Sequence, residues 1–345
     1  MSYCVRIDNT ELEFTVNAEE SILDAALREG LAFPFNCRSG TCGTCAAKVI
    51  EGEVAYPEGR TSALPAAEAL GKALLCQAQP LTDLVIEFPR RPPEPFIEPR
   101  QLPCRVARIE DLCHDVRRLY LRTPGVERLE LFAGQYIDIL LQGGRRRSFS
   151  LANPPHDNEL LELHIRRIPE GEFTSYVFDE IEPETLLRFE GPLGNFYLRE
   201  NSPNPILMMG GSTGFAPLKG MLEHAFHAGI ERPIHLYWGA RTRGDLYLDE
   251  LPQRWAQEHE NFQYTPVLSE PEADVDWPGK TGWVHSALLD DYPDLDDFDV
   301  YMSGPPAMIE AALDEFIAHG LDPEHLYYDS FEYAADSQPD DNTEA

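Results

Sequence analysis

Four cysteines at a fixed spacing constrain this chain more than any other feature of its sequence. Three of them, Cys37, Cys42 and Cys45, lie within nine positions of the stretch NCRSGTCGTCAAKV, and Cys76 follows after 30 intervening residues. Two glycines lie between the clustered cysteines. Glycine permits positive φ angles and lets backbone N–H groups approach a bound group without a Cβ clash. The pattern therefore predicts a tight loop that presents several sulfur ligands to one site.

The spacing Cys-x4-Cys-x2-Cys with a distant fourth cysteine is typical of a plant-type [2Fe–2S] site. Such a site needs four thiolates, and Gly40 and Gly43 allow the loop to close around them. A zinc site usually uses two Cys-x2-Cys pairs, and the sequence has only one. A thioredoxin-like redox pair would leave Cys37 and Cys76 unexplained. The remaining cysteines are predicted to be ordinary thiols: Cys4, Cys104 and Cys113.

The composition limits location and partners. The 345 residues carry 28 basic and 60 acidic side chains, a net charge of −32, and this excess argues against nucleic acid or an anionic membrane as a general partner. No run of 18 or more apolar residues occurs, so no membrane span is expected. The N-terminus lacks a basic stretch followed by an apolar one, so no secretory signal is expected and a cytoplasmic, reducing location is predicted.

A proline-rich stretch divides the chain. FPRRPPEPFIEPRQLP, residues 88–103, holds six prolines and is predicted to be extended and semi-rigid. A second break is expected near residues 199–205, where polar and turn residues precede an apolar run. The predicted division is a ferredoxin-like domain at 1–92, a linker at 93–101, a barrel domain at 102–202, a nucleotide-binding domain at 203–333 and an acidic tail at 334–345.

Each segment has its own hydrophobic pattern. YCVRID and ELEFTV alternate like strands, and SILDAALREG predicts a helix capped by Ser21 and ended by Gly30. The middle segment holds strand-like runs such as PCRVARIEDL and QYIDILL, which predict a small antiparallel barrel. The last segment alternates strands and helices, which predicts a parallel sheet with crossover helices. The expected fold class is therefore multidomain, combining α+β and α/β domains.

The first 90 residues resemble a plant-type ferredoxin, whose β-grasp fold matches the helix, the cysteine loop and the late fourth cysteine. In RRRSFSLANPP, Arg147, Ser148, Phe149 and Ser150 resemble the Arg-x-Tyr/Phe-Ser motif of the ferredoxin–NADP reductase superfamily. The resemblance implies an FAD-binding barrel. In it the arginine pairs with the pyrophosphate, the aromatic ring packs along the isoalloxazine, and the final serine lies near its N5 atom. The same resemblance favours FAD over FMN.

A second flavin motif is implied further along the chain. LELHIRRIPEGEFTSYVF places Gly171 three residues before Thr174 and resembles the family segment in which a helix N-terminus takes the pyrophosphate. His164, Ile165 and Arg166 match the strand that lies beside the cofactor in that family. Each motif alone is weak, and their order behind a ferredoxin-like segment is what predicts flavin binding.

The third segment carries signals for a nicotinamide coenzyme. In PILMMGGSTGFAPLKG, the residues Gly210, Gly211, Thr213 and Gly214 match the Gly-x-Thr-Gly-x-Ala-Pro segment of the reductase family. A plain tight turn is the alternative, because the spacing is not Gly-x-Gly-x-x-Gly. Arg241, in YWGARTRGDLY, could reach the 2′-phosphate of NADPH or could be a solvated loop charge. NADH therefore rests on the resemblance, and NADPH stays open.

Two more segments are implied to face the nicotinamide. DVYMSGPPAMIE matches the Cys-Gly-x-Pro segment of the family, with Ser303 in place of the cysteine and Gly304 and Pro305 in the turn. YYDSFEY places Phe331 where a terminal aromatic covers the flavin in this family, and a core aromatic is the alternative interpretation. Ser150, Ser303 and Phe331 are the predicted catalytic residues.

Together the segments resemble bacterial reductases that join an N-terminal ferredoxin, an FAD barrel and an NAD(P)H domain, over roughly residues 1–333. The resemblance implies an enzyme that takes hydride from NAD(P)H to FAD and passes single electrons through the cluster to an accepting protein. The runs RRSFSLANPP and LELHIRRIPEGEFT favour the CDP-6-deoxy-Δ3,4-glucoseen reductases, whose partner is a sugar dehydratase. An oxygenase reductase component is the alternative, and a non-catalytic electron carrier or redox sensor is an alternative of another class.

Overall fold

The computed structural model describes residues 2–8, 10–31, 33–57, 59–61, 63–87, 97–125, 128–271 and 277–332. The chain falls into two compact units, Met1–Pro99 and Arg100–Ala345. Part of the predicted linker, at 93–96, and the whole predicted acidic tail, at 334–345, lie outside the described residues. The finer domain boundaries stay predictions. Within the described ranges, no helix is both long and apolar enough to cross a membrane.

The first unit is built on a mixed sheet with two helices. Its elements are β1 (Ser2–Ile7), β2 (Glu13–Asn17), α1 (Ile22–Arg28), β3 (Ala46–Glu51), β4 (Val54–Ala55), α2 (Leu64–Ala69), β5 (Lys72–Leu74), β6 (Gln79–Pro80) and β7 (Leu84–Glu87). The strand order is β2-β1-β7-β3-β5, and β4 and β6 form a separate ribbon. The central pair β1–β7 is parallel and the flanking pairs are antiparallel, which is the predicted β-grasp arrangement.

The helix α1 forms where the sequence predicted it. The Ser21 hydroxyl accepts the backbone N–H of Asp24 at 3.1 Å, which satisfies one of the unpaired donors at the helix start. Gly30 adopts a φ of +74° just after the helix end, the left-handed conformation that glycine tolerates best. The apolar side of the helix is buried against the unit's core, including Ile22, Leu23 and Ala26.

The second unit begins with a six-stranded antiparallel barrel. Its elements are β8 (Arg100–Asp111), β9 (Val116–Arg122), β10 (Tyr136–Leu140), β11 (Arg146–Ser150), β12 (Leu161–Arg166), α3 (Glu172–Asp179) and β13 (Leu186–Leu193). The strand order is β11-β10-β13-β8-β9-β12. A bridge between Leu151 and Leu163 joins the two ends of this sheet, so the sheet closes and leaves no long unpaired edge.

The rest of the second unit is a parallel sheet between layers of helices. Its elements are β14 (Ile206–Gly211), α4 (Phe215–Ala228), β15 (Ile234–Ala240), α5 (Glu250–Glu258), β16 (Phe262–Leu268), β17 (Lys280–Thr281), α6 (Val284–Asp291), β18 (Asp299–Gly304), α7 (Pro306–Ala318) and β19 (Leu326–Ser330). The strand order is β17-β16-β15-β14-β18-β19. All of the pairings are parallel, as predicted from the strand and helix alternation.

The parallel sheet has a core on each face. Met208 and Trp238 pack into one cluster with residues of α4, whereas Met209 and Tyr237 pack into the other with residues of α6 and α7. This explains why β14 is apolar without alternation, since both faces of a central parallel strand are covered. The cluster on the α4 side also contains barrel residues such as Val116. The barrel and the parallel sheet therefore share one continuous core.

Candidate functional site

The four predicted cluster ligands lie as two pairs of thiols in the first unit. Hydrogen bonding with the Cys42 thiol, helped by Ser39 and Thr41 against the cost of burial, lowers the pKa of Cys37 to about 4. A hydrogen bond with Cys76 likewise lowers the pKa of Cys45. The pKa of Cys76 rises because of that bond, burial and the charges of the other three cysteines. All four sulfurs therefore converge on one region.

The loop around these thiols is shaped by left-handed backbone. Arg38, Gly40 and Gly43 have φ angles of +55°, +77° and +72°, and the backbone N–H of Cys42 points at the Cys37 sulfur at 3.4 Å. A Cβ on Gly40 would lie 2.5 Å from Thr61 Oγ1, so this glycine is needed for space as well as for conformation. Two thiols for each of two irons is the donor set of a plant-type [2Fe–2S] cluster, and the residues present fit that group.

The predicted flavin strand β11 presents two different faces. Ser148 donates to Asp138 at 2.6 Å, and Arg146 pairs with Asp138 and Glu190 on the same face. Because side chains alternate along a strand, Arg147 and Phe149 belong to the opposite face, which is the side of the barrel core. Phe149 packs there against Phe173 of α3, with ring centroids 5.5 Å apart.

The second flavin motif lies beside that face. Arg145, next to the start of β11, pairs with Glu172 in the first turn of α3 at 3.0 Å, so the strand and the helix N-terminus are neighbours. Thr174 accepts the backbone N–H of Ile168 at 3.1 Å, and a Cβ on Gly171 would lie 2.6 Å from the Thr174 hydroxyl. No side chain among the described residues caps the N-terminus of α3. An uncapped helix start beside arginine side chains fits a pyrophosphate.

The side chains of β12 point into the protein. Ile165 lies in the barrel core, whereas His164 bonds Tyr247 at 3.0 Å and Glu162 at 2.9 Å, and Arg166 Nε lies 3.1 Å from Asp115. Burial lowers the pKa of His164 despite its contact with Glu162. A cofactor contact from these three predicted residues would therefore use the backbone of the strand.

The glycine turn after β14 is packed by the chain itself. A Cβ on Gly214 would lie 1.9 Å from the Ser303 carbonyl oxygen, and one on Gly211 would lie 2.5 Å from Met308 Sδ. Thr213 is buried inside the 3₁₀ turn Ser212–Gly214, and a Cβ on Gly210 would lie 3.1 Å from Leu218. The glycines therefore let β18 and α7 approach closely. No side chain caps the start of α4 within the described residues, which leaves a helix N-terminus that suits phosphate.

The three predicted catalytic residues meet at the carboxyl edge of the parallel sheet. Ser150 donates to Asp329 at 3.1 Å, and Asp329 is paired in register with Ser303. The backbone N–H of Phe331 donates to the Gly304 carbonyl at 2.9 Å, and Phe331 is partly exposed. The Ser303 hydroxyl is fully buried and has no hydrogen-bond partner among the described residues, a cost that a bound polar ligand atom would remove. Pro305 directly precedes α7.

A second group lies at the same edge, around β15 and β16. Arg241 is exposed, and its carbonyl accepts the backbone N–H of Glu270 at 2.9 Å. Trp283 is 69% exposed, and the adjacent Gly282 donates to the Leu268 carbonyl at 2.8 Å. Arg241 follows β15 and Trp283 follows β17, so an exposed cation and an exposed aromatic ring lie at the same edge of the sheet. Such groups can take a planar, charged ligand.

The sequence interpretation missed several residues of these sites. Asp329 lies only two positions before Phe331, so its place in YYDSFEY was a usable signal. Glu270 follows the end of β16, and its backbone bond to Arg241 brings it close to the end of β15, which the sequence pattern did not reveal. Trp283 gives no periodic or motif signal, because its exposure depends on the packing of β17 and α6.

Family models match all three parts of the chain. Residues 5–81 match a 2Fe-2S iron-sulfur cluster binding domain, residues 103–197 an oxidoreductase FAD-binding domain and residues 208–314 an oxidoreductase NAD-binding domain. The fold class, the three cofactors and the oxidoreductase activity expected from the sequence are thereby confirmed.

Similar proteins span the whole chain. The CDP-6-deoxy-L-threo-D-glycero-4-hexulose-3-dehydrase reductase of Yersinia pestis is 39% identical over 331 residues, covering 96% of this chain and 99% of the relative. The reductase component DmpP of phenol 2-monooxygenase from Pseudomonas sp. is 34% identical over 341 residues, covering 97% and 96%. The crystal structure of the Amycolatopsis cytochrome P450 reductase GcoB superposes with a TM-score of 0.83 at 33% identity, covering 95% and 98%.

The thiol pairs, the uncapped helix starts and these full-length similarities agree with one another. The chain belongs to the NAD(P)H-dependent iron–sulfur flavoprotein reductases, which pass electrons from a nicotinamide coenzyme by way of FAD and a [2Fe–2S] cluster to a partner protein.

Proposed function

We propose that the electron-accepting partner is a dehydrase that acts on a nucleotide-linked deoxyhexulose. The observation that carries this proposal is the 39% identity to the CDP-hexulose dehydrase reductase along 99% of that protein. The reductase components of phenol 2-monooxygenase and terephthalate 1,2-dioxygenase are 34% and 31% identical over comparable lengths. An oxygenase partner is the second candidate, favoured by the fold similarity to the P450 reductase.

A direct comparison of acceptors tests this proposal. The purified holoprotein is mixed with NADH and, in separate reactions, with a CDP-6-deoxyhexulose dehydrase and with a P450 or phenol hydroxylase component. We expect coupled turnover at least tenfold faster with the dehydrase. Faster turnover with an oxygenase would reverse the assignment of the partner and would leave the reductase activity itself untouched.

We also propose roles for the predicted flavin residues. Bound FAD supplies the chemistry that takes up a hydride and releases electrons one at a time. Arg147 and the N-terminus of α3 would hold its pyrophosphate, and Phe149 would pack along its ring system. Ser150, whose hydroxyl donates to Asp329, would accept a hydrogen bond at the reactive edge. The common location of Arg147, Phe149 and α3 supports these roles.

The substitution Arg147→Ala tests the pyrophosphate role. We expect FAD affinity to fall about 10- to 100-fold, because a charged hydrogen bond contributes about 1.5–3 kcal/mol. Arg146→Ala is the matched control, because Arg146 lies on the opposite face of β11 and pairs with Asp138 and Glu190. FAD content after desalting and fluorescence titration with FAD measure the effect. Equal loss of FAD in Arg147→Ala and Arg146→Ala would contradict the proposal that Arg147 binds the pyrophosphate.

For the coenzyme we propose binding at the glycine turn after β14, with the adenosine at Arg241 and Trp283. NADH is favoured over NADPH because the backbone N–H of Glu270 donates to the Arg241 carbonyl, which brings an acidic residue close to Arg241, and its negative charge would repel a 2′-phosphate. A higher kcat/KM for NADPH than for NADH would contradict this preference. We retain the domain division at 1–92, 102–202 and 203–333 as a proposal, together with a cytoplasmic location, which suits thiolate ligands.

A further inference from the structure

A buried lysine joins the two halves of the second unit. Lys219 lies on α4 and is 5% exposed. Its ammonium group donates to the carbonyl of Ala152 at 3.0 Å, to Glu162 at 3.1 Å and to Glu223 at 3.0 Å. An ammonium has three donors, so every donor of Lys219 is used. Two of the three acceptors belong to the barrel side, and the third belongs to α4 itself.

The Glu162 carboxylate is the centre of this contact. Its side chain is 8% exposed, and it also contacts His164 at 2.9 Å and Arg118 at 3.4 Å. Burial alone would raise the pKa of Glu162, but the hydrogen bond from His164 and the charges of Lys219 and Arg118 lower it to about 2. The carboxylate is therefore ionised at neutral pH, and the Lys219–Glu162 contact is a true ion pair in a buried environment.

The ion pair lies between the two ligand-binding motifs. Ala152 follows Ser150 of the flavin motif by two positions, and its N–H donates to the Glu162 carbonyl at 2.8 Å. Lys219 follows Gly214 of the glycine turn by five positions, on the same helix. Next to it, a Cβ on Gly220 would lie 3.1 Å from the Asn153 carbonyl oxygen. The helix that begins at the glycine turn therefore rests directly on the backbone that follows the flavin strand.

We propose that Lys219 is a positioning residue for hydride transfer, which sets the distance between the glycine turn and the flavin strand through its bonds to Ala152 and Glu162. The proposal rests on the hydride transfer from nicotinamide coenzyme to FAD that the family performs. Lys219 contacts neither of the motif residues that would touch the ligands, so it acts through α4 and through the segment after Ser150. Its charge, more than its packing volume, is what fixes the contact.

The physical reason is the steep distance dependence of group transfer. Reacting atoms must approach to about 3–3.5 Å, and a displacement of about 1 Å can cost about 100-fold in rate. A neutral side chain at position 219 would fill the space but would leave the Ala152 carbonyl and the Oε2 atom of Glu162 without the donor they share, although Oε1 would keep His164 and Arg118. A buried carboxylate oxygen that has lost its donor draws in water or shifts away, and the two motifs would then lose their fixed separation.

The test is Lys219→Met, studied as holoprotein by stopped-flow reduction of the flavin with NADH. We expect the limiting rate of reduction to fall about 10- to 100-fold, while the Kd for NADH and the FAD content change less than about threefold. A variant with wild-type limiting rate would overturn the proposal. A variant in which only the Kd for NADH rises would overturn it too, because that result assigns Lys219 to binding.

A matched control separates positioning from stability. Arg232 is another buried cation, with its side chain 11% exposed, that bonds a carboxylate, Asp299, and the carbonyls of Asn204 and Arg199. Arg232 lies two residues before β15, and its partner Asp299 is the first residue of β18, at the opposite end of that strand from Ser303. Arg232→Met should lower stability and leave the limiting rate within about twofold. If both variants slow reduction equally, loss of stability explains the effect and the proposal fails.

A double variant covers the case in which Lys219→Met folds poorly or loses FAD. Glu162→Gln/Lys219→Met removes the buried negative charge that has lost its lysine, so we expect the melting temperature to recover relative to the single variant while flavin reduction stays slow. Recovery of both the stability and the rate would overturn the positioning role. An inactive wild-type protein, by contrast, would contradict the reductase function itself and is distinguishable from either outcome.

Amide hydrogen exchange gives a readout that does not depend on turnover. In the absence of NADH, Lys219→Met should increase exchange in the peptide containing Ala152 and at the start of α4, because the contact between them is lost. Arg232→Met should leave that peptide unchanged. Unchanged exchange in Lys219→Met would show that the lysine does not hold the two segments together.

Discussion

The cluster loop of the first unit and the glycine turn of the second unit are both glycine-rich, but they use glycine for different physical reasons. Gly43 has a φ of +72°, and among the residues that the structure describes only Ala63, at 3.9 Å, would approach an added Cβ. Gly214 has an ordinary helical φ of −58°, yet an added Cβ would lie 1.9 Å from a backbone oxygen. The first glycine is required for its conformation and the second for the space it leaves.

This difference shows what each loop accomplishes. The cluster loop bends so that sulfur atoms close in sequence point inward, and the glycine serves the loop itself. The turn after β14 is narrow so that the neighbouring strand β18 can approach. Gly214 therefore leaves space for a segment that is distant in the sequence. Glycine-rich sequences of similar appearance therefore need different tests.

The largest effect is expected from Cys42→Ser. Removal of one of four thiolate ligands should abolish the [2Fe–2S] cluster and with it cytochrome c reduction, whereas ferricyanide reduction should be spared because it can draw electrons from the flavin. Iron and acid-labile sulfide analysis and the two NADH-dependent assays measure this outcome. Cys4→Ser, which changes an exposed cysteine of the same unit, is the control. Equal loss of both activities would contradict separate sites.

Gly214→Ala should be the most damaging of the glycine substitutions. The new methyl group would meet the Ser303 carbonyl, and a backbone oxygen cannot rotate away. Overpacking typically costs about 1–3 kcal/mol and occasionally more, and we place this substitution at the upper end of the range. Urea unfolding and the Kd for NADH measure the change. A decrease of less than about 1 kcal/mol in the free energy of unfolding would show that β18 shifts to accommodate the methyl group.

Gly43→Ala should lower the free energy of unfolding by less than Gly214→Ala does, and through backbone strain instead of overpacking. Space is available around an added Cβ, so the penalty is the strain of a left-handed conformation, about 1–2 kcal/mol. We expect the cluster to assemble with wild-type iron content but to be lost sooner on heating. Visible absorbance of the cluster during a thermal ramp records this. If Gly43→Ala loses more stability than Gly214→Ala, the claim that space matters more in the glycine turn than conformation does in the cluster loop is wrong.

Histidine content distinguishes the two units as well. The first 99 residues contain no histidine, and all ten lie in the second unit. His235 is one of the buried ones and bonds Tyr292 at 3.0 Å and Thr265 at 2.9 Å. Burial lowers its pKa to about 4, against an opposing effect of Asp291. Mild acid should therefore weaken the second unit through groups that the first unit lacks.

The smallest effect is the pH dependence due to His235. Its folded pKa lies below its unfolded value, so it contributes stability that is complete above pH 6.5 and is lost as the pH falls toward 4. Between pH 7 and pH 5 this contribution should decrease by about 2 kcal/mol. His235→Gln cannot titrate, so the stability difference between wild type and variant should shrink by that amount as the pH falls.

Tryptophan fluorescence measures this pH effect selectively. The four tryptophans all lie in the second unit, so denaturant unfolding followed by their emission reports on that unit, while cluster absorbance reports on the first. A difference between wild type and His235→Gln that stays constant from pH 7 to pH 5 would contradict the buried, neutral state of His235.

Much of the fold and site was predictable wherever the signal is local. Ser21 and Gly30 bound the helix α1 at the places that the sequence indicated, because caps act within a few residues. The barrel and the parallel sheet followed from hydrophobic periodicity. The sequence pattern did not reveal that the side chains of His164 and Arg166 bond other side chains of the protein, since that depends on residues such as Tyr247, 83 positions after His164.

The sequence by itself determined the order of the domains and the family, and it predicts the cluster ligands, because these follow from short motifs and their spacing along the chain. Only the tertiary structure decided which distant groups meet. Ser150 and Asp329 are 179 positions apart and Lys219 and Glu162 are 57 apart. Such contacts form when the barrel and the parallel sheet pack around a shared core. Their geometry depends on how whole surfaces of the two parts fit together, and the spacing of residues in the sequence does not predict that fit.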